Sequence, residues 1–237
     1  MQLKLREFRP RIGPREYRVV QPWHPLRHTA LADPTGYGWL VGDHDGLSRL
    51  AALFSFVAYS RQTIVHIPLR DGVPMDGWYE QYLEICGGRV DLVLVHHSLG
   101  LRPANWPDLR RRLVQGTPLT VRTDEHRTAR DAAAWNRRCG HARTREWLRP
   151  VTHARTLFLT GSRGPFTAAC TEFEYAAGWG PRQADAAHGD QVLASSITSQ
   201  LLPDPDLRRP EVDISFKAHP PCANFRRAHG CPRSGRG

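Results

Sequence analysis

The sequence predicts an α/β protein: a three-layer sandwich around a mostly parallel, five-stranded sheet, with an irregular basic arm at each end. Two features of the chain indicate this fold. Short apolar runs with strand composition alternate with stretches whose apolar residues recur at helical spacing. Between residues 37 and 202 this alternation occurs five times in a row. Strands separated by helices of about 10–15 residues are typical of parallel sheets.

The five predicted strands follow the apolar runs in chain order. They cover residues 38–42, 63–68, 90–95, 118–122 and 156–160. The clearest is 90–95, in which valine and leucine fill every position except Asp91. Strands that alternate with helices in this way imply a flavodoxin-like or Rossmann-like layout.

The predicted helices fill the intervals between the strands. They cover residues 47–59, 78–85, 103–114, 124–138, 165–177 and 190–202. In the first of them, Leu47, Leu50 and Val57 share one face of the helix. Paired glycines close the second helix, and Pro203 stops the last one.

The charge of the chain is concentrated in its two ends, residues 1–36 and 203–237. Of the formal net charge of +10, the first segment carries +4, the second +3 and residues 37–202 the remaining +3. Both ends are rich in proline, and residues 203–237 lack a regular period, so we expect that segment to be disordered. Basic arms of this kind are suited to non-specific contact with nucleic-acid phosphates.

Residue usage excludes several classes of site. Lys4 and Lys217 are the only lysines, so there is no P-loop nucleotide site and no core lysine for pyridoxal phosphate. No apolar run is long enough to span a membrane. The five cysteines are odd in number and widely spaced. This predicts a reducing, cytoplasmic compartment and no disulfide framework.

Polar side chains follow four of the five predicted strands directly. In an open parallel sheet, ligands bind outside the carboxyl ends of the strands. The four sets are Asp43–His44–Asp45, His96–His97–Ser98, Thr123–Asp124–Glu125–His126 and Thr160–Gly161–Ser162–Arg163. We therefore expect the functional site at this edge of the sheet.

Asp43 and Asp45 form the sharpest motif. Two carboxylates two residues apart can share a Mg²⁺ or Mn²⁺ ion, or divide nucleophile and acid roles between them. The stretch 38–45 resembles the first motif of the haloacid-dehalogenase-like phosphotransferases, an apolar strand followed by Asp-x-Asp. The resemblance is confined to this stretch, since the core has no lysine for a later motif of that family. Capping of the helix at Leu47 by either aspartate is the simpler interpretation.

Histidines supply further candidates for the site. His97 and His126 are candidate acid–base groups, and Asp124 is a candidate metal ligand beside the two aspartates of the first motif. Adjacent residues at a strand end point to opposite faces of the sheet. We therefore expect at most one of His96 and His97 to face a shared site.

A glycine-containing turn after the fifth predicted strand supplies the candidate ligand-binding residues. These are Thr160, Ser162 and Arg163. They precede the predicted helix 165–177, and the N–H groups at a helix N-terminus attract phosphate. The guanidinium of Arg163 is suited to clamping the same anion.

Two functions remain open at this point. The first is binding of an anionic small molecule, a nucleotide or phosphoester, at the strand ends, with metal-assisted hydrolysis as the reaction if the protein is an enzyme. The second is a non-catalytic module that binds nucleic acid or a protein partner. That module would act through the basic arms and the region Arg143–Arg149, which lies within the tryptophan- and arginine-rich stretch 135–149.

Overall fold

A computed structural model of the protein describes residues 1–34, 38–139, 146–202 and 211–219. Its strands are β1 (Gln2–Phe8), β2 (Arg11–Ile12), β3 (Arg15–Glu16), β4 (Arg18–Pro22), β5 (Thr29–Leu31), β6 (Gly38–Gly42), β7 (Thr63–Ile67), β8 (Asp91–His96), β9 (Thr117–Arg122), β10 (Arg149–His153), β11 (Thr156–Gly161), β12 (Gln191–Ser196) and β13 (Val212–Lys217). Its helices are α1 (His44–Tyr59), α2 (Gly77–Ile85), α3 (Trp106–Arg111), α4 (Glu125–Cys139), α5 (Arg163–Trp179) and α6 (Ala184–His188).

The larger sheet is mixed and not mostly parallel. Its seven strands lie in the order β10-β11-β8-β7-β4-β1-β9. Two neighbouring pairs, β11 with β8 and β4 with β7, are parallel, and the other four pairs are antiparallel. The predicted mostly parallel, five-stranded sandwich is therefore wrong.

The five predicted strands all exist, but they are divided between two sheets. β6 belongs to a second, four-stranded sheet with the order β12-β13-β6-β5. Helix α1 therefore carries the chain from one sheet to the other and does not return it to a parallel neighbour. An alternation of strands and helices does not specify that the strands share a sheet, which is why the predicted flavodoxin-like or Rossmann-like layout fails.

The prediction of irregular arms is wrong for the parts of them that the structure describes. β1 alternates from Gln2 to Arg6, with Leu3 and Leu5 buried and Lys4 and Arg6 exposed, as expected for a strand with one buried face. β13 lies between β12 and β6 in the smaller sheet. Both strands pair with segments far away in sequence, which local composition does not report. Residues 203–210 and 220–237 lie outside the described residues.

The predicted helix 190–202 is also wrong, because β12 occupies its first half. β12 is an edge strand whose residues are mostly half-buried, and it pairs antiparallel with β13. Its partner lies beyond Pro203, so no local pattern could reveal the pairing. The predicted helices at 47–59, 78–85, 124–138 and 165–177 are confirmed as α1, α2, α4 and α5.

The main core lies between the two sheets and is built around α1 and α5. The ring of Phe54 lies 4.8 Å from the ring of Phe173 and 6.0 Å from that of Phe166, measured between centroids. The same cluster contains Leu92 from the larger sheet and Leu40 from the smaller one. Burial of these side chains holds both sheets to one helical layer.

The opposite faces of the sheets carry smaller cores. Trp106 of α3 packs against Phe158 of β11, with 6.1 Å between ring centroids. Tyr82 of α2 meets Trp39 of β6 edge to face at 5.0 Å. None of the described helices has the length and apolar character needed to cross a bilayer.

Candidate functional site

The main candidate site is a cleft at the carboxyl ends of β8 and β11. These strands are parallel neighbours, and Gly161 at the end of β11 pairs with His96 at the end of β8. The residues that follow the two strands therefore meet at one edge of the sheet. A cleft of about 430 Å³ opens there, and we call it the histidine cleft. Its lining consists of Arg61, His96, His97, Ser98, Asp131, Ala134, Arg138, Glu146, Ser162, Arg163 and Gly164.

Two glycines allow the chain to approach its neighbours closely beside this cleft. A methyl group at Gly161 would lie 2.6 Å from the side chain of Leu148, and one at Gly164 would lie 2.4 Å from the indole of Trp135. Both contacts are too short for any side chain. Gly164 thus brings the start of α5 against α4, which forms the opposite wall of the cleft.

Ser162 stands at the N-terminus of α5. It is extended (φ −96°, ψ −178°), and its hydroxyl makes no hydrogen bond to the first turn of the helix. Its Oγ is buried and has no hydrogen-bond partner among the described residues. The first-turn N–H groups carry the positive end of the helix dipole and are not capped by this side chain.

The two histidines both line the cleft, contrary to the expectation that at most one would. β8 ends at His96, and a 3-10 turn (His97–Leu99) begins directly after it, so the alternation of a strand no longer applies. The two rings lie 4.5 Å apart between centroids. The N–H and hydroxyl of Ser98 lie 3.3 and 2.8 Å from Nδ1 of His96. Nδ1 of His97 lies 3.2 Å from the carbonyl oxygen of Gly161.

Three guanidinium groups face two carboxylates in the cleft. Arg163 lies 3.7 Å from Asp131, and Arg138 lies 3.7 Å from Glu146. Arg61 makes no ion pair with any residue that the structure describes. The lining therefore carries a positive excess before the histidines are counted.

The aromatic ring of Tyr59 supports Arg163 from below. The Arg163 guanidinium carbon lies 5.1 Å from the centre of this ring, a cation–π contact. The hydroxyl of Tyr59 donates to Asp131 at 3.0 Å. Arg163 thus lies between the ring of Tyr59 and the carboxylate of Asp131 at the N-terminus of α5.

Asp43 and Asp45 lie elsewhere, at the N-terminus of α1, because β6 belongs to the smaller sheet. Asp43 caps the helix by accepting from the N–H of Gly46 at 2.8 Å. Burial raises the pKa of its carboxyl, although the Gly46 N–H opposes this effect. Asp45 is exposed and pairs with Arg49 at 3.3 Å. Both aspartates line a second cleft of about 500 Å³ between α1 and the strands β1 and β4.

The remaining predicted site residues lie apart from both clefts. Asp124 caps α4 by accepting from the N–H of Arg127 at 2.9 Å, and His126 is exposed on the first turn of that helix. They follow β9, which is the edge strand farthest from β11. Thr160 is a half-buried residue within β11.

Of the predicted site residues, the structure brings His97, Ser162 and Arg163 together. Arg61 and Asp131 were missed, because they come from a turn and from a helix face that carry no motif. Arg138 was noted only as part of the tryptophan- and arginine-rich stretch 135–149. Among the described residues, no group of three or more His, Cys, Asp or Glu side chains is placed to hold a metal ion.

Comparisons with protein-family models, with curated proteins and with solved structures give no match to this chain. The histidine cleft is therefore interpreted from its own chemistry.

Proposed function

We propose that the protein binds a phosphate-bearing small molecule, a nucleotide or another phosphoester, in the histidine cleft. One observation carries this proposal: three guanidinium groups, two imidazoles and the N-terminus of α5 converge on one opening. The guanidinium groups and the helix N-terminus each favour an anion over a neutral or cationic ligand.

The chemistry of the donors favours phosphate among the anions. Guanidinium groups form paired hydrogen bonds with the oxygens of a phosphate, and helix N–H groups supply further donors along one direction. The side chain of Ser162 does not cap the helix, so it does not occupy those N–H groups. The volume of about 430 Å³ lies within the range of small-molecule sites, roughly 300–1,000 Å³.

The two carboxylates do not cancel this preference. Asp131 is engaged by the Tyr59 hydroxyl and by Arg163, so it orients the arginine. The side chain of Glu146 is half-exposed, and solvent weakens its effect on the cleft. Arg61 stays available to the ligand.

The proposal is tested by titration calorimetry of the full chain with AMP, inorganic phosphate and uncharged adenosine. We expect AMP and phosphate to bind and adenosine to bind far more weakly. Replacing Arg163 or Arg138 by glutamine should weaken AMP binding about tenfold, because a charge-assisted hydrogen bond contributes about 1.5 kcal/mol. Repeating the titrations with Mg²⁺ and with Mn²⁺ tests whether a metal ion assists binding.

Arg130 provides the matched control, since it is exposed on the same helix as Arg138 and does not line the cleft. Arg130→Gln should leave AMP binding unchanged. An equal loss in this control, or no binding of AMP and phosphate by the wild type, contradicts the proposal. Salt-sensitive binding of an oligonucleotide that survives both cleft substitutions would favour the nucleic-acid alternative.

A further inference from the structure

The hydrogen bonds of His96 determine which of its nitrogens carries the proton. The backbone N–H of Ser98 donates to Nδ1 of His96 at 3.3 Å. A ring nitrogen can accept only while it carries no proton. In the neutral imidazole the proton is therefore on Nε2, and His96 offers an N–H donor from that atom.

His97 is held in the opposite tautomer. Its Nδ1 lies 3.2 Å from the carbonyl oxygen of Gly161, and a carbonyl oxygen can only accept. Nδ1 therefore carries the proton, and Nε2 is left with a free lone pair. His97 is exposed, so this lone pair is accessible from the cleft.

The surroundings of His96 keep it neutral. Its side chain is 4% exposed, and burial lowers the pKa of the imidazole, with further lowering by His97, Arg61 and Arg163. A neutral imidazole keeps the single proton that the tautomer requires. Two adjacent rings thus differ in chemistry: one is a fixed donor and the other is a fixed base.

We infer that the histidine cleft hydrolyses phosphoesters, with His97 as the general base for an attacking water and His96 as a hydrogen-bond donor to the phosphoryl group. This inference rests on the proposed phosphate binding and adds the reaction to it. The Oγ of Ser162 is shielded from solvent and makes no hydrogen bond to either histidine. This favours water over that hydroxyl as the nucleophile.

The reaction balances with water as the only co-reactant. The water oxygen forms a bond to phosphorus while the ester P–O bond breaks. Nε2 of His97 takes a proton from the water, and the leaving oxygen takes a proton from solvent. His97 then returns its proton to solvent, and the products are an alcohol and a phosphate. Arg61 and Arg163 would stabilise the charge on the phosphoryl oxygens.

The tautomers are tested directly by long-range ¹H–¹⁵N NMR of the full chain labelled with ¹⁵N-histidine, above the pH at which the imidazoles titrate. We expect an Nε2–H pattern for His96 and the less common Nδ1–H pattern for His97, assigned with the variants His96→Gln and His97→Asn. An Nε2–H pattern for both rings overturns the inference. This readout does not depend on any substrate.

The reaction is tested with p-nitrophenyl phosphate and bis(p-nitrophenyl) phosphate as probes. His97→Asn keeps an N–H for the Gly161 carbonyl and lacks a base, so we expect kcat to fall about 100-fold while inorganic phosphate still binds. His153→Asn, an exposed histidine at the far end of the β10–β11 pair, is the control and should leave turnover unchanged.

The two proposals fail in distinguishable ways. If the wild type does not bind inorganic phosphate, the proposed function itself is wrong. If phosphate binds but neither probe is hydrolysed, or His97→Asn loses less than about threefold in kcat, the binding site stands and the catalytic inference is overturned.

Discussion

The carboxylate of Asp91 is fully buried at the start of β8. Its Oδ1 accepts from the N–H groups of Leu69 and Arg70 at 3.0 and 3.2 Å. Its Oδ2 lies 3.5 Å from Nε2 of His66 and 3.4 Å from Nε of Arg70. Burial opposes ionisation of this carboxyl, but His66 and the two backbone N–H groups outweigh burial and hold its pKa below the usual value.

Removing the carboxylate of Asp91 should strongly destabilise the folded protein. Asp91→Ala leaves the N–H groups of Leu69 and Arg70 without their acceptor and removes the buried carboxylate beside Arg70, and we expect a loss of about 3–5 kcal/mol in the free energy of unfolding. Asp71→Ala is the control, since Asp71 also contacts Arg70 but is 78% exposed. Urea denaturation measures both, and similar losses in the two variants would contradict this account.

A second residue-scale prediction concerns pH. Because the folded state lowers the pKa of His96 from 6.5, the unfolded chain binds more protons just below that pH. The contribution of His96 to stability is therefore complete above pH 6.5 and is lost as the pH falls toward the lower, folded value. We expect the free energy of unfolding to decrease between about pH 7 and pH 5, and less steeply in His96→Gln. If the free energy of unfolding depends equally steeply on pH in His96→Gln, His96 is not the group responsible.

Among the secondary-structure elements, β6 and β13 approach each other closely at Gly38. A methyl group on Gly38 of β6 would lie 2.0 Å from the carbonyl oxygen of Glu211, just before β13. Backbone atoms cannot move aside as a flexible side chain can. β6 and β13 can therefore pair in this way only if residue 38 is a glycine.

Gly38→Ala should accordingly destabilise the protein by about 3 kcal/mol, the upper part of the range for overpacked sites. Gly178→Ala is the matched control, because nothing lies within 4 Å of an added methyl group there and the residue is inside α5. The control should gain about 0.5–1 kcal/mol. Thermal unfolding distinguishes the two, and a neutral Gly38→Ala would show that β13 can shift to make room.

The sequence predicted individual elements well and their arrangement poorly. β8 and α1 are identified by local periodicity, which depends on burial of nearby side chains. Strand partners are determined by contacts between segments distant in sequence. Local periodicity therefore could not predict that β1 lies beside β4 or that β13 lies beside β6. The candidate site divides in the same way. His97 and Ser162 follow strands that prove adjacent, whereas Asp43 follows a strand of the other sheet.

At the scale of the whole molecule, both sheets depend on residues outside 37–202. β1 and β4 lie in the interior of the larger sheet, and β5 and β13 flank β6 in the smaller one. Without them, β7 has an open edge, and β9 and β12 have no partner. The alternation of strands and helices within residues 37–202 therefore does not mark a unit that contains complete sheets.

We therefore expect a fragment of residues 37–202 not to fold cooperatively, because it lacks four strands of the two larger sheets. The apolar side chains that those strands bury would be exposed to solvent. The full chain is the control and should show a single unfolding transition. Near-UV circular dichroism during heating measures both. A sharp transition in the shorter fragment, close to that of the longer one, would contradict the prediction.

The position of β13 between β12 and β6 has a consequence for biosynthesis. β6 emerges from the ribosome long before its parallel neighbour β13, which is among the last described residues to be made. Until then, the nascent chain carries the unpaired edge of a buried apolar strand, which is a site for chaperone binding or aggregation. Completion of the smaller sheet is thus a late, non-local step, and such steps slow folding.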